Sequence, residues 1–347
     1  MASIPDARSA LPEVSLARRR EILAQEPSAA RHADLLESLG FADALDVVRA
    51  PAALRLRDQS LRVVAWNAQR CTDPARAAEF LRATGADVFL LSELDVGMAR
   101  SGQANTPREL AGRLGCCAAF AVEFLELGLG DAQEQKAHAG RENALGWHGG
   151  AILARGDLVA PEVARLEPGG RWFDGRLGER RIGSRVAVLC RFALDGRELA
   201  LASVHLESHS DPEERAAQLE VVFDRLERLA PGVPALVGGD VNTHSLGRAE
   251  LEDRDRLRAA LARDPERLRD PVAHEPLFAL AERRGFEWRA ANLRPAPTYK
   301  RDGRGAFQLD WFFSRGLEIA DPAVLPSGEL SDHEAIALSV RIAPREW

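Results

Sequence analysis

Cysteine is scarce, with four in 347 residues, at Cys71, Cys116, Cys117 and Cys190. None has CxxC spacing and two are adjacent, which argues against a disulfide framework or a zinc–thiolate site and suits reduced, packed thiols. Long apolar runs are also missing. The best stretches are broken by Arg, Asp or Gly within about ten positions, short of the ~20 residues that cross a bilayer. No integral membrane association is therefore expected. The N-terminal MASIPDARSALPEVSLARRREIL lacks a basic start followed by an apolar stretch, so we expect no secretory signal and a cytoplasmic protein. Nor is there a basic excess, since 46 Lys+Arg stand against 53 Asp+Glu, for a formal charge of -7. That balance argues against coating nucleic acid through bulk charge. It leaves room for a nuclease, whose site of carboxylates and a metal ion is itself acidic and needs only a local patch of Arg. No repeat or low-complexity tract interrupts the chain.

The 46% of hydrophobic residues can fill a core, and the length allows one large domain or two ordinary ones. From Ser15 to about Ala53 the pattern is helical, beginning SLARRREILAQ, with Ser28 as N-cap of a helix through His32 and Leu39 to Gly40. Residues 1–58 are thus expected to form a helical N-terminal arm, and 59–347 the main domain. After Ser60 come short apolar runs of strand length: LRVVAWN at 61–67, ADVFLLSEL at 86–94, GGAILAR at 149–155, RVAVLCRF at 185–192, LALASVHLE at 199–207, PALVGGD at 234–240, LDWFFS at 309–314 and AIALSVRI at 335–342. Helical stretches at 73–85, 107–115 and 213–230 separate some of them, while other strands follow one another directly. This mixture predicts an α/β architecture with mixed sheets. The charged segment at 250–270 reads as a solvated helix.

Polar residues recur where these runs end: Asn67, Glu93, His205, Asp240 with Asn242, Asp310, and Asp332 with His333. Strand ends are where α/β folds gather ligands and catalysts, because the sheet holds groups distant in sequence. Each residue alone has a plainer explanation. Glu93 could cap a helix, Asp240 could serve a Gly-Gly-Asp turn, Asp332 could be an N-cap, and His205 could be a hydrogen-bonded core histidine. Asp310 between Leu309 and Trp311 is harder to dismiss, since a buried carboxylate must be paired.

The ordered set Asn67, Glu93, His205, Asp240-Val241-Asn242, Asp310 and Ser331-Asp332-His333 resembles the endonuclease/exonuclease/phosphatase superfamily over roughly residues 60–343. Members of that superfamily include deoxyribonuclease I, exonuclease III, sphingomyelinases and inositol polyphosphate phosphatases. The resemblance implies a four-layer sandwich, two mixed β-sheets face to face with helices outside, and Mg²⁺ or Mn²⁺ as cofactor. Hydrolysing a phosphate ester needs an attacking water, charge neutralisation and a stabilised leaving oxygen. Hard oxygen donors suit Mg²⁺ or Mn²⁺, which makes Glu93 the principal metal ligand with Asn67 and Asp332 beside it. Asp240 is expected to orient or deprotonate the water, and Asn242, two residues on, to hold a phosphoryl oxygen. His333 is expected to be a catalytic histidine oriented by Asp310. His205 matches a second family histidine, and the acid and base roles of the two stay open. Arg185, Asn143 and His148 are further candidates for substrate contact. Trp172 and Phe173 could stack a base, touch lipid or anchor a loop.

The expected activity is phosphodiester hydrolysis. A DNA or RNA nuclease, a sphingomyelinase-like enzyme and a phosphatase remain alternatives, with the long insertion at 244–298 as a possible lid. An inactive scaffold would be favoured by loss of a metal ligand or of the Asp–His pair, and both are retained. A non-phosphate metallohydrolase would need a multi-His ligand set, which is missing.

Overall fold

The computed structural model describes residues 11–49, 60–194, 196–265, 267–268, 270–300 and 307–343. Two helices open this part of the chain, α1 (Leu16–Leu23) and α2 (Ala29–Ser38), capped by the Ser15 and Ser28 hydroxyls. Next come β1 (Leu45–Val48), β2 (Leu61–Asn67), α3 (Pro74–Ala83), β3 (Val88–Val96), α4 (Thr106–Leu114), β4 (Cys117–Glu126), α5 (Ala132–Ala137), β5 (Trp147–Ala154), β6 (Leu158–Arg165), β7 (Arg181–Gly183), β8 (Val186–Leu194) and β9 (Arg197–His205). The remainder is α6 (Pro212–Leu229), β10 (Ala235–Asp240), α7 (Arg248–Glu252), α8 (Arg254–Arg263), α9 (Pro276–Arg283), β11 (Asp310–Arg315), β12 (Leu317–Leu325) and β13 (Ala335–Ile342). No described helix is long and apolar enough to cross a membrane.

One sheet has the order β1-β4-β5-β3-β2-β13-β12, with β7 also pairing β4, and the other is β11-β10-β9-β8-β6. Only β2/β3 and β9/β10 are parallel, so both sheets are mixed. Period-two alternation explains the layering. In β2, Leu61, Val63 and Ala65 join Leu201, Leu236 and Phe312 of the opposite sheet in an inter-sheet core. Val64 and Trp66 face outward into a second core with Leu81 of α3 and Leu110 of α4. On the far side, Val204, Trp311 and Phe313 pack against Leu219, Phe223 and Leu226 of α6 and Phe278 of α9. The result is the expected four-layer sandwich.

Residues 45–48 depart from the helical expectation, because β1 pairs antiparallel with β4. Leu45 and Val47 both turn into the inter-sheet core, a period of two, and Asp46 between them is buried against Arg108. The rest of that reading, Ala50 to Ala53, lies outside the described residues, as do residues 1–10 and 54–58 of the expected arm.

Gly149 marks one of the two tightest approaches to a backbone carbonyl among the described glycines, Gly183 being the other. β3 and β4 each carry a bulge opposite it, between Leu91 and Leu94 and between Val122 and Phe124. A Cβ on Gly149 would stand 1.9 Å from the Ala121 carbonyl oxygen. Because backbone must shift to admit it, Gly149→Ala is expected to lower unfolding free energy by about 1–3 kcal/mol, read by urea denaturation.

Candidate active site

Strand register assembles half the site. Asp240 at the end of β10 lies opposite His205 on parallel β9 and Asp310 on antiparallel β11. Since β11 runs the other way, its first residue reaches the same sheet edge as the last residues of β9 and β10. Gly238 and Gly239 stand inside β10 rather than in a turn. A Cβ on Gly238 would meet the Phe312 ring at 2.5 Å, and one on Gly239 the Val204 carbonyl at 2.1 Å.

The other sheet supplies Asn67 at the end of β2 and Glu93 in the β3 bulge, with φ 55°. A bulge adds one residue and re-aims a side chain. The turn after β12 is tied down by its hydroxyl and backbone groups. Ser331 Oγ donates to Asn67 O at 2.7 Å and accepts from His333 N at 2.9 Å, while Trp66 Nε1 donates to His333 O at 3.1 Å.

These elements surround a cavity of about 480 Å³ lined by Asn67, Glu93, Arg185, His205, Asp240, Asn242, Asp332 and His333, among others. Contacts converge on Asp240 Oδ2, which accepts from Asn67 Nδ2 at 3.1 Å and lies 3.6 Å from His205 Nε2 and 3.7 Å from His333 Nε2. Its Oδ1 accepts from Asn242 N at 3.0 Å. Asp310 sits behind His333, 2.8 Å from Nδ1. Burial works against the imidazolium, but Asp310 and Asp240 outweigh it and push His333 up to about 10. Around His205, Arg185 Nη1 lies 3.0 Å from Nδ1 and 3.1 Å from Glu123 Oε2. Nδ1 also lies 3.6 Å from Glu123 Oε2, so each ring nitrogen of His205 has a carboxylate near it, with Nε2 facing Asp240.

Burial would raise the Glu93 carboxyl, yet Arg70, His205 and His148 reverse this and hold it well below the usual carboxylate range. The donors here are hard oxygens, and all four cysteines are buried elsewhere, which fits a hard divalent cation. Two acidic clusters among the described residues could hold an ion: Asp240, Asp310 and His333, and Asp131, Glu134 and Glu179. Asn67 ties the two sheet edges together within the cavity lining. Its Nδ2 bridges Glu93 and Asp240, each at 3.1 Å, and its Oδ1 accepts from Gln69 N at 3.0 Å.

Two expected substrate contacts are not brought to the cavity. Asn143 is engaged elsewhere, with Nδ2 donating to Gly128 O at 2.7 Å and Oδ1 accepting from Ala99 N at 2.8 Å. His148 is fully buried, with Nδ1 2.8 Å from Asp95 Oδ1 and Nε2 3.4 Å from Arg70. Asn242 does line the cavity, although its Nδ2 donates to Leu206 O at 2.8 Å. Trp172 lines the cavity and also donates to Glu207 at 2.9 Å, while Phe173 is buried under the outer helices.

Arg70, Glu179, Arg181, His209, His244 and Tyr299 also line the cavity without having been singled out as site residues. The Tyr299 ring meets His333 edge-on at 5.0 Å. Arg70 sits in a run of left-handed residues, Gln69, Arg70 and Cys71 at φ 42°, 70° and 48°, each costing about 1–3 kcal/mol. Arg70 comes three residues after the strand-ending Asn67, and nothing local in the sequence marks the direction of its side chain.

No curated protein matches the chain in sequence. Solved structures share the fold at low identity. An endonuclease/exonuclease/phosphatase from Beutenbergia cavernae DSM 12333 is 19% identical with TM-score 0.55, over 82% of this chain and 72% of that one. The human Nocturnin catalytic domain with bound sulfate is 18% identical with TM-score 0.53, over 85% and 100%. A functionally unknown conserved protein from Enterococcus faecalis V583 is 14% identical with TM-score 0.52, over 81% and 99%. The family model of the Endonuclease/Exonuclease/phosphatase family matches residues 64–333, and with the sheet edge described above this chain belongs to that family.

Proposed function

We propose that the chain is a divalent-metal-dependent hydrolase of phosphate esters that acts on phosphodiesters. Family membership supports a phosphoesterase or nuclease. The observation that carries the finer reading is the convergence of Asn67, His205 and His333 on Asp240 Oδ2. Glu93 and Asp332 would hold Mg²⁺ or Mn²⁺, which when bound neutralises phosphoryl charge. Asp240 takes the proton of the attacking water. His333, charged at neutral pH, lends positive charge to the phosphoryl oxygens, with Asp310 fixing its ring. His205 Nε2 donates a hydrogen bond to the leaving oxygen, which departs as the anion and takes its proton from solvent, while Arg185 and Glu123 hold the ring.

A small ester is favoured over a nucleic acid. A polymer needs several cationic contacts along a groove. Among the described residues, each arginine lining the cavity is already ion-paired: Arg70 with Glu93 and Glu179, Arg181 with Glu179 and Glu126, Arg185 with Glu123 and Glu207.

The test uses metal-stripped protein and a chromogenic phosphodiester. Turnover should appear on adding Mn²⁺ or Mg²⁺ and vanish in EDTA. Glu93→Gln should need about ten- to a hundredfold more metal for half-maximal rate. Turnover indifferent to EDTA, or none on either a diester or a monoester, would overturn the proposal.

A further inference from the structure

Arg70 is the most exposed of the three cavity arginines, with 16% of its side chain accessible against 3% for Arg181 and 5% for Arg185. Its guanidinium is shared unequally. Nη2 lies 2.6 Å from Glu179 Oε1, while Nη1 lies 3.3 Å from Glu93 Oε2 and Nε 3.4 Å from Glu134 Oε1. Losing Glu93 would therefore leave the guanidinium held by its closest partner. The turn beneath it is fastened to the same site, because Gln69 N donates to Asn67 Oδ1 and Gln69 Oε1 accepts from Asp332 N at 2.9 Å.

Glu93 has both oxygens engaged, Oε1 by Asn67 and Oε2 by Arg70. A divalent cation and the guanidinium thus compete for one carboxylate. We propose that Arg70 is a phosphoryl-binding residue held in reserve: it neutralises Glu93 in the metal-free site and, once a cation takes Glu93, turns its free N–H groups to the substrate phosphate. A guanidinium suits that task, since its planar fork matches phosphate oxygens. Glu179 acts as the tether, itself oriented by Arg181 at 2.7 Å. This inference rests on the metallohydrolase reading of the same cavity.

The experiment titrates Mn²⁺ into the metal-stripped full chain by calorimetry, then inorganic phosphate into the Mn²⁺-loaded protein. The variants are Arg70→Met, the charge-balanced Arg70→Met/Glu179→Gln, and Glu93→Gln, with thermal melts confirming that each is folded. Removing the competing cation should tighten Mn²⁺ binding by about tenfold in both Arg70 variants. Phosphate should bind about tenfold more weakly in both. A lowered melting temperature with unchanged Mn²⁺ affinity would make Arg70 a buttress and overturn the inference. Tightening in the single variant alone would trace to an unpaired Glu179 and overturn it too, as would unchanged phosphate affinity. Wild type and Glu93→Gln that bind Mn²⁺ equally, or not at all, would overturn the underlying metal reading and this inference with it.

Discussion

Asp240→Asn is expected to cut phosphodiester turnover by about 10²–10⁴-fold, the range of a lost general base, while leaving the protein folded. The substitution is nearly isosteric. The amide oxygen can still accept one of the two hydrogen bonds that Asp240 receives, from Asn67 Nδ2 or Asn242 N. What it loses is the basic lone pair and the negative charge facing His205 and His333. His333 keeps Asp310 at 2.8 Å, so its ring stays oriented. The loss should fall on kcat more than on KM, because the base acts in the chemical step. Steady-state kinetics beside a thermal melt checks this. A rate within tenfold of wild type would move the base elsewhere, and a collapsed melting temperature would mean that Asp240 serves the fold first.

The sandwich was legible because its central strands alternate cleanly, as in Val63, Val64, Ala65 and Trp66, which face opposite cores in turn. β4 was not, because Glu123 and Glu126 interrupt its apolar run and only the tertiary structure supplies their partners, Arg185 and Arg181. β1 was masked by neighbouring helical sequence, and its four residues gain strand character only from pairing with β4. Among site residues, those ending regular strands were readable, since a strand end and a polar residue are both local facts. Asn143 misled because nearness in sequence to β5 says nothing of where an amide points, and its amide is spent on Gly128 and Ala99. Arg70 was invisible for the converse reason. Its direction depends on three left-handed residues in an irregular turn and on Glu179, 109 positions away.

The largest stability effect is expected away from the chemistry, at Arg215 on α6 and Glu275 before α9. Both side chains are wholly buried and paired through two contacts, Nη2 to Oε1 at 2.6 Å and Nε to Oε2 at 3.1 Å. Arg215 also donates to Ser210 O at 2.5 Å and Leu246 O at 3.2 Å, and Glu275 accepts from Ser245 N at 2.9 Å. The pair thereby clamps the loops that carry His209, Asn242 and His244 into the cavity. Glu275→Ala leaves a guanidinium buried without its carboxylate, which costs about 3–5 kcal/mol, a large share of the roughly 5–15 kcal/mol that folds a typical protein. Arg215→Met/Glu275→Leu removes both charges and should recover about half of that loss. Recovery stays incomplete because Ser210 O, Leu246 O and Ser245 N lose their partners. Urea denaturation of the three proteins measures the series. A double variant as unstable as Glu275→Ala would show that these backbone contacts, rather than the unpaired charge, dominate; a Glu275→Ala loss below about 1 kcal/mol would show that the clamp is dispensable.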